Sequence, residues 1–383
     1  MIEPMLGAVV DIFRLRQYFN VVTRTRELVD GVREDGRLAA AAGRALARLP
    51  LESERARPGF DPFPLARPRP SPALRGRRIG LVATGGSGAL ASVVGVARAF
   101  EENGVRPAVI SLCSGSALFG FPIAAGLPAG EVAAFTLGLR PEDHIDVSWR
   151  RLATLVPRAG RGFAGLVEGA RIEATYRRLL GDRRLGDLPI PAYAPIWSVE
   201  HNRVDYVGPA THPDLPVARA VHMAIALPLF LQPVPYDGQH WCDGGIVDIF
   251  PVHPVLDIEE PCDGVVAVNG FYPPDFAGED ASGWDSRRWS ILYAASQVRT
   301  CQQIQLAREN LRRLGDATEV AMIEPVPYGK VRGAGFYVQF LDNRDWAGFM
   351  RQGRVAGRRG LARLGRSRRR GAGSRTSVGR RGA

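Results

Sequence analysis

Short runs of apolar residues alternate with longer amphipathic stretches through most of this chain. The runs are rich in β-branched residues and end at small or polar residues, which is typical of strands buried on both faces of a sheet. A shorter run at Val204–Val207 follows the run Leu188–Trp197 after a polar turn and is predicted to pair with it as the return strand of a hairpin. The five principal predicted strands are Ile79–Ala83, the run from Val109 that ends before Ser114, Leu188–Trp197, Val265–Asn269 and Glu319–Pro327.

Helical periodicity fills the intervals between these runs. The first helix carries Val93, Val96 and Phe100 on its apolar side and is predicted to end at Asn103-Gly104, a typical C-terminal cap. Strands that alternate with helices predict an α/β fold with a central, mostly parallel sheet and helices on both faces. The other predicted helices lie within 127–187 (including Trp149–Leu155), at Val217–Ala226, Trp284–Leu314 and Asp345–Leu364.

Changes in composition divide the chain into four parts. Residues 1–57 are predicted to be a helical appendage, either a packing element or a membrane-surface helix. Six prolines between Pro58 and Pro72 predict a semi-rigid linker over 58–77, followed by one large domain over 78–364. Residues 365–383 are mostly Arg, Gly and Ser and are expected to be a disordered tail.

Charge is unevenly distributed along the 383 residues. The formal net charge is +11, but 12 arginines and no acidic residue lie from Arg351 onward, which leaves −1 for the first 350 residues. The body is therefore not a nucleic-acid surface, and no specific nucleic acid is expected as a partner. The tail is interpreted as solvated or as a weak tether to anionic membranes.

The sequence also limits the compartment and the cofactors. Four cysteines at 113, 242, 262 and 301 have no metal-binding spacing and are too few for a disulfide framework. No signal peptide or membrane-spanning run is recognised, so the expected location is cytoplasmic, with peripheral membrane contact as an option. No metal and no cofactor is predicted, and the oligomeric state is left open.

A glycine-rich turn follows the first predicted strand. Thr84-Gly85-Gly86-Ser87-Gly88 leads directly into a helix, and such a turn presents backbone N–H groups that can hold an anion. A phosphate loop would need a lysine, and a dinucleotide fingerprint would need a different glycine spacing. The remaining functional interpretation is an oxyanion hole built from Gly85, Gly86, Ser87 and Gly88, and the alternative is a purely structural turn.

A serine occupies the next strand–turn–helix unit. Ser114 lies where the run from Val109 ends and a helix begins, which is the position of the serine in a nucleophile elbow. Because the two strands are expected to be parallel neighbours, both turns should emerge at the same edge of the sheet. The third motif, Asp243-Gly244-Gly245, holds a carboxylate on a tight turn, although Asp-Gly turns are common without any catalytic role.

In this order, the three motifs resemble those of the patatin-like phospholipase family. The resemblance covers roughly 78–360 and includes the segments Leu179–Tyr193, Ala218–Pro233 and Ala321–Pro325. It implies a patatin-like three-layer fold, hydrolysis of a lipid or long-chain carboxylic ester, Ser114 as nucleophile and Asp243 as its general base. It also implies the oxyanion hole at 85–88. No histidine is required, and His222, His240 and His253 are more simply structural.

Three departures from the family pattern stand out. Leu112 and Ser116 replace the two glycines of Gly-x-Ser-x-Gly, Ala89 replaces an arginine after the glycine turn, and Ile249-Phe250 replaces an asparagine before Pro251. A glycine at a strained elbow normally avoids a steric clash, so these changes concern efficiency and substrate class more than the fold. Two alternatives therefore remain: a non-catalytic lipid-binding or scaffold protein, and an acyltransferase.

Overall fold

The computed structural model describes residues 62–63, 70–140, 143, 146, 164–278, 280, 282–286, 290–331, 339 and 343–374. The predicted N-terminal appendage at 1–57 lies outside these residues, as do the helix predicted at Trp149–Leu155 and the last part of the tail, 375–383.

Eight strands form one sheet, in the order β10-β9-β1-β2-β4-β8-β7 with β5 beside β4. The strands β10, β9, β1, β2 and β4 are mutually parallel, whereas β8, β7 and β5 are antiparallel to their neighbours. This confirms the mostly parallel sheet and the hairpin return predicted at Val204–Val207. A separate parallel pair joins β3 and β6. The strands are β1 (Ile79–Ala83), β2 (Pro107–Ser111), β3 (Gly165–Val167), β4 (Ala192–Ser198), β5 (Arg203–Val207), β6 (Leu229–Leu231), β7 (Val234–Tyr236), β8 (Gln239–Asp243), β9 (Gly264–Val268) and β10 (Glu319–Ile323).

Helices connect the strands much as the periodicity predicts. The first ends at Glu102 and is capped by Asn103 and by Gly104, whose φ is +67°. In the part of the chain that is described, no helix combines the length and the apolar character needed to span a bilayer. The helices are α1 (Ser92–Glu102), α2 (Gly115–Ala124), α3 (Ala129–Leu137), α4 (Ala170–Leu180), α5 (Val217–Ile225), α6 (Ser290–Ala317), α7 (Tyr328–Val331) and α8 (Trp346–Ser374).

Alternate side chains of the parallel strands enter two separate cores. Leu81 on β1 belongs to the core that includes residues of α1, α2, α5 and α8. The neighbouring Val82 points the other way, into a core that includes Ile304 and Leu314 of α6. Successive side chains of a strand face opposite sides of its sheet, so the two cores mark two helical layers. The structure is thus the predicted three-layer α/β fold.

Two predicted boundaries differ from the structure. Within the expected linker, Phe63 and Leu74 are each only 1% exposed, and the Ser71 N–H donates to the Asn103 carbonyl at 3.0 Å. The described residues of this segment therefore pack on the domain, because their apolar side chains find partners there. The last helix continues to Ser374, ten residues beyond the expected end of the domain at Leu364. Arginine is a good helix former and no proline interrupts this segment, so an Arg-rich composition is compatible with helix.

The order of the strands brings two distant segments to one edge. β4 lies between β2 and β8, and it continues past the end of β2. β8 returns antiparallel beside β4, with its last residue, Asp243, opposite Ile196. The segment after β2 and the end of β8 therefore emerge at the same edge of the sheet.

Candidate active site

Ser114 occupies a strained turn between β2 and α2. Its φ is 50° and its ψ is −126°, a backbone conformation that residues other than glycine rarely adopt. Such a conformation costs on the order of 1–3 kcal/mol and is typical of functional turns. The residue caps the N-terminus of α2 and is partly exposed. The strand–turn–helix unit predicted around this serine is present.

Asp243 lies beside that serine. The residue is 1% exposed, and its carboxylate accepts a hydrogen bond from the Gly245 N–H at 2.8 Å. Its own N–H donates to the Ala226 carbonyl at 2.9 Å, which fixes the end of β8 against the end of α5. Burial raises the pKa of Asp243 to about 7, although the nearby Ser114 hydroxyl and the Gly245 N–H favour the charged form and act in the opposite direction. At neutral pH this carboxylate can therefore accept a proton and also release it.

The glycine loop packs directly on both residues. The Gly85 N–H donates to the Ile249 carbonyl at 2.9 Å, which ties this loop to the segment after Asp243. A Cβ on Gly85 would lie 3.3 Å from Ser114 Cβ. A Cβ on Gly115 would lie only 2.2 Å from the Gly86 carbonyl oxygen. The structure thus brings together all six residues singled out from the sequence: Gly85, Gly86, Ser87, Gly88, Ser114 and Asp243.

Backbone N–H groups without a hydrogen-bond acceptor among the described residues include those of Gly86, Ser87 and Gly88, three of the four predicted oxyanion donors, and that of Gly115. Gly85 differs, since its N–H is already bonded to Ile249. Gly115 is not among the residues predicted from the sequence, although its position immediately after a candidate nucleophile is a recognised signal for an oxyanion donor.

The three histidines considered earlier have carboxylate partners elsewhere. The Nδ1 atoms of His222, His240 and His253 lie 3.2, 2.7 and 2.7 Å from Glu173, Glu200 and Asp257, respectively. No cluster of three or more His, Cys, Asp or Glu side chains is arranged for a metal ion in the regions that are described.

This region of the chain matches a protein-family model. Residues 81–256 match the model for the patatin-like phospholipase family. The matched residues contain the glycine loop, Ser114 and Asp243. Residues 81–256 form a patatin-like phospholipase domain. This family supports lipid ester hydrolysis as the broad activity and lipids as the broad class of substrate.

Solved structures with a related arrangement are more distant. VipD from Legionella pneumophila is 16% identical, with a TM-score of 0.43 over 79% of this chain and 70% of that chain. Human GIVD cytosolic phospholipase A2 is 11% identical, with a TM-score of 0.32 over 73% of this chain and 60% of that chain. At these values neither similarity carries an argument about activity. The search of curated proteins finds no match to this chain.

The altered elbow of the patatin-like domain has a steric explanation. The side chain of Leu112 fills the space over Gly120, where a Cβ would lie 2.2 Å from Leu112 Cδ2. The Ser116 hydroxyl donates to the Cys113 carbonyl at 2.8 Å and accepts from the Cys113 N–H at 2.7 Å. A glycine in the second turn of α2 thus accommodates Leu112, and Ser116 adds hydrogen bonds to the turn before the helix.

The glycine loop of the patatin-like domain is also anchored from outside the matched residues. Gln339 Oε1 accepts hydrogen bonds from the Ser87 hydroxyl at 2.8 Å and from the Ala89 N–H at 3.1 Å. Gln339 is itself buried. Position 89, where the family pattern has arginine, is therefore held through its backbone by a glutamine distant in sequence.

Gly120→Ala is expected to destabilise the domain by about 1–3 kcal/mol, because the added methyl group overpacks the space of Leu112. Urea unfolding of the single variants and of the double variant with Leu112→Ala measures the effect. We expect the two changes to be strongly non-additive, since the shorter side chain makes room for the methyl group. Additive changes in the free energy of unfolding would show that Leu112 and Gly120 do not share this space.

Proposed function

We propose that this chain is a serine acyl hydrolase that cleaves carboxylic esters of lipids through a Ser114–Asp243 dyad. One observation carries the proposal: a buried aspartate with a pKa raised to about 7 lies beside the hydroxyl of a serine on a strained turn. A serine hydroxyl is a weak nucleophile until a base takes its proton, and Asp243 is placed to do so.

The reaction follows from this geometry in two stages. Ser114 Oγ attacks the ester carbonyl while its proton passes to Asp243, and the alcohol then departs with that proton, leaving an acyl-enzyme. Water attacks the acyl-enzyme next, losing a proton to Asp243, which returns it to Ser114 as the fatty acid leaves. In both stages the oxyanion is stabilised by the N–H groups of Gly86, Ser87, Gly88 and Gly115, which have no acceptor within the described residues, and by the N-terminus of α2.

Apolar side chains that are close in sequence to the proposed dyad support a lipid acyl chain as the substrate group. Leu118 lies one turn after Ser114, and Ile246 and Val247 follow the Asp-Gly-Gly turn; all three are at least partly exposed, Val247 at 42%. Ala117 and Phe119 of the same helix are buried in the core. The proposed substrate implies peripheral contact with a lipid surface.

A fluorophosphonate probe tests this proposal directly. The probe is expected to label the folded chain at Ser114, identified by mass spectrometry of the labelled peptide. Below pH 7 the labelling rate should fall about tenfold per pH unit, because protonated Asp243 cannot accept the serine proton. Above pH 7 the rate should be nearly constant.

Two results would contradict the proposal. One is equal labelling of the wild type and of Ser114→Ala, and the other is labelling confined to a different serine. An unreactive Ser114 in a chain that still binds phospholipid vesicles would indicate the non-catalytic alternative. Transfer of the acyl group to an added alcohol in preference to water would indicate an acyltransferase.

A further inference from the structure

We propose that Gln303 on α6 is a positioning residue that holds the Asp243–Gly245 turn in its working geometry. The inference rests on the proposed function, in which Asp243 is the general base. Gln303 lies outside residues 81–256, the part of the chain that matches the family model. Its role is therefore a property of how α6 packs in this chain.

A chain of hydrogen bonds leads from α6 to the carboxylate. The Tyr272 hydroxyl donates to Gln303 Oε1 at 2.7 Å, and Gln303 Nε2 donates to the Gly245 carbonyl at 2.7 Å. Gly245 in turn donates its N–H to Asp243 Oδ1 at 2.8 Å. Gly245 is thus held between two side chains, one on each of its backbone polar groups.

The position of Gly245 decides whether its N–H can donate a hydrogen bond to the buried carboxylate of Asp243. Besides the Ser114 hydroxyl, the Gly245 N–H is the donor that stabilises the charged carboxylate in this buried place. A glycine has more backbone freedom than any other residue, so its N–H points at the carboxylate only if something else fixes it. A Cβ on this residue would lie 2.5 Å from Cys113 Sγ, so a stiffer residue would not fit there. Gln303 supplies the restraint from the other side.

The same helix holds the next part of this loop. Asn310 Nδ2 donates to Asp248 Oδ1 at 3.0 Å and to the Phe250 carbonyl at 2.9 Å. Asn310 is about two turns after Gln303 on α6, so both amides face the loop. Two uncharged amides at this spacing restrain the loop without adding a charge beside the base.

Among the described residues, the titratable side chains near Asp243 include Cys113, Cys242 and Asp248. Burial raises the pKa of the Cys113 and Cys242 thiols, so both stay neutral over the working range. Burial also raises the pKa of Asp248, which accepts a hydrogen bond from the Tyr206 hydroxyl. An Asp248→Asn variant therefore separates any titration of that carboxyl from the titration of Asp243.

The test uses the full chain with Gln303→Leu, and Gln302→Leu and Gln305→Leu as controls on the exposed side of the same helix. In Gln303→Leu we expect the acid limb of kcat/KM to move up by about 0.5–1 pH unit and kcat to fall about tenfold. KM should change less than twofold. Tyr272→Phe, which leaves Gln303 in place without its orienting donor, should show a smaller shift in the same direction.

A second readout does not depend on activity. Carbon-13 NMR titration of aspartate-labelled protein, assigned with Asp243→Asn, should show the same upward shift of the Asp243 pKa in Gln303→Leu. An unchanged Asp243 pKa in both Gln303→Leu and Tyr272→Phe would overturn the inference. Failure of the wild type to react at Ser114 would overturn the proposed function alone, because the NMR titration would still report the role of Gln303. If Gln303→Leu fails to fold, Tyr272→Phe decides the question.

Discussion

Asp243→Asn is expected to lower kcat/KM for ester hydrolysis by at least about 10³-fold, and Ser114→Ala by at least as much. Asparagine keeps the shape of the side chain and can still accept from the Gly245 N–H, but it cannot take a proton from Ser114. Because the two residues act as one unit, the double variant should lose little more than the worse single variant. Steady-state kinetics on a short acyl-ester series, with circular dichroism as the fold control, measures this. Multiplicative losses would argue against a shared proton.

The same variant is expected to stabilise the fold. The pKa of Asp243 is about 7 in the native state against an ordinary value of 3.8, so the native state binds a proton more tightly than the unfolded chain does. The contribution of Asp243 to stability is therefore largest below about pH 4, is lost as the pH rises from about 4 to 7, and does not change above that range. Asp243→Asn avoids this loss, so its advantage should grow over that interval to about 2–4 kcal/mol at pH 8.

Thermal unfolding of wild type and Asp243→Asn at several pH values measures that advantage. A higher Tm of Asp243→Asn at pH 8 combined with lost activity would show that burial of the ionised Asp243 carboxylate lowers the free energy of unfolding. An advantage of constant size from pH 4 to 8 would contradict the raised pKa, because the cost would then not come from ionisation of Asp243.

Gly115→Ala is expected to lower kcat by about 10²-fold or more while leaving Ser114 and Asp243 unchanged in sequence. The new Cβ would lie 2.2 Å from the Gly86 carbonyl oxygen and 3.1 Å from the Gly86 carbonyl carbon. These are backbone atoms and cannot rotate away as a side chain could, so the glycine loop has to move. Moving it separates the N–H groups that stabilise the oxyanion from the serine.

Gly130→Ala provides a matched control for that variant. Gly130 lies at the start of α3, and a Cβ there would have nothing within 4 Å. We expect it to leave kcat and KM unchanged. The loss in Gly115→Ala should appear in kcat, with fluorophosphonate labelling slowed as well. Full activity in Gly115→Ala would show that the glycine loop does not take part in catalysis.

The sequence predicted the layers of this fold because strand and helix patterns are local. Apolar β-branched runs form buried strands whatever their order in the sheet. Asn103-Gly104 ends α1 because Gly104 adopts the positive φ that a helix C-terminus favours. The Arg-rich segment shows the limit of this reasoning. Its composition indicated a disordered tail, but α8 continues to Ser374.

The same distinction between local and tertiary determinants applies to the candidate site. Ser114 and the glycine turn follow adjacent parallel strands, so their proximity could be predicted from chain order. The proximity of Asp243 could not, because β8 reaches the site only by pairing antiparallel with β4. Likewise, Gly85 looks like its neighbours in the sequence, and only the bond to Ile249 shows that its N–H is occupied.

By itself, the sequence determined which residue types stand at the turns: a serine, a run of glycines and an aspartate before two glycines. The tertiary structure decided what those residues can do. Burial gives Asp243 its pKa of about 7, and α6, remote in sequence, holds the turn beside it. The reason is physical: backbone conformation follows mainly from neighbouring residues, whereas desolvation and hydrogen bonding depend on whatever the fold packs against a group.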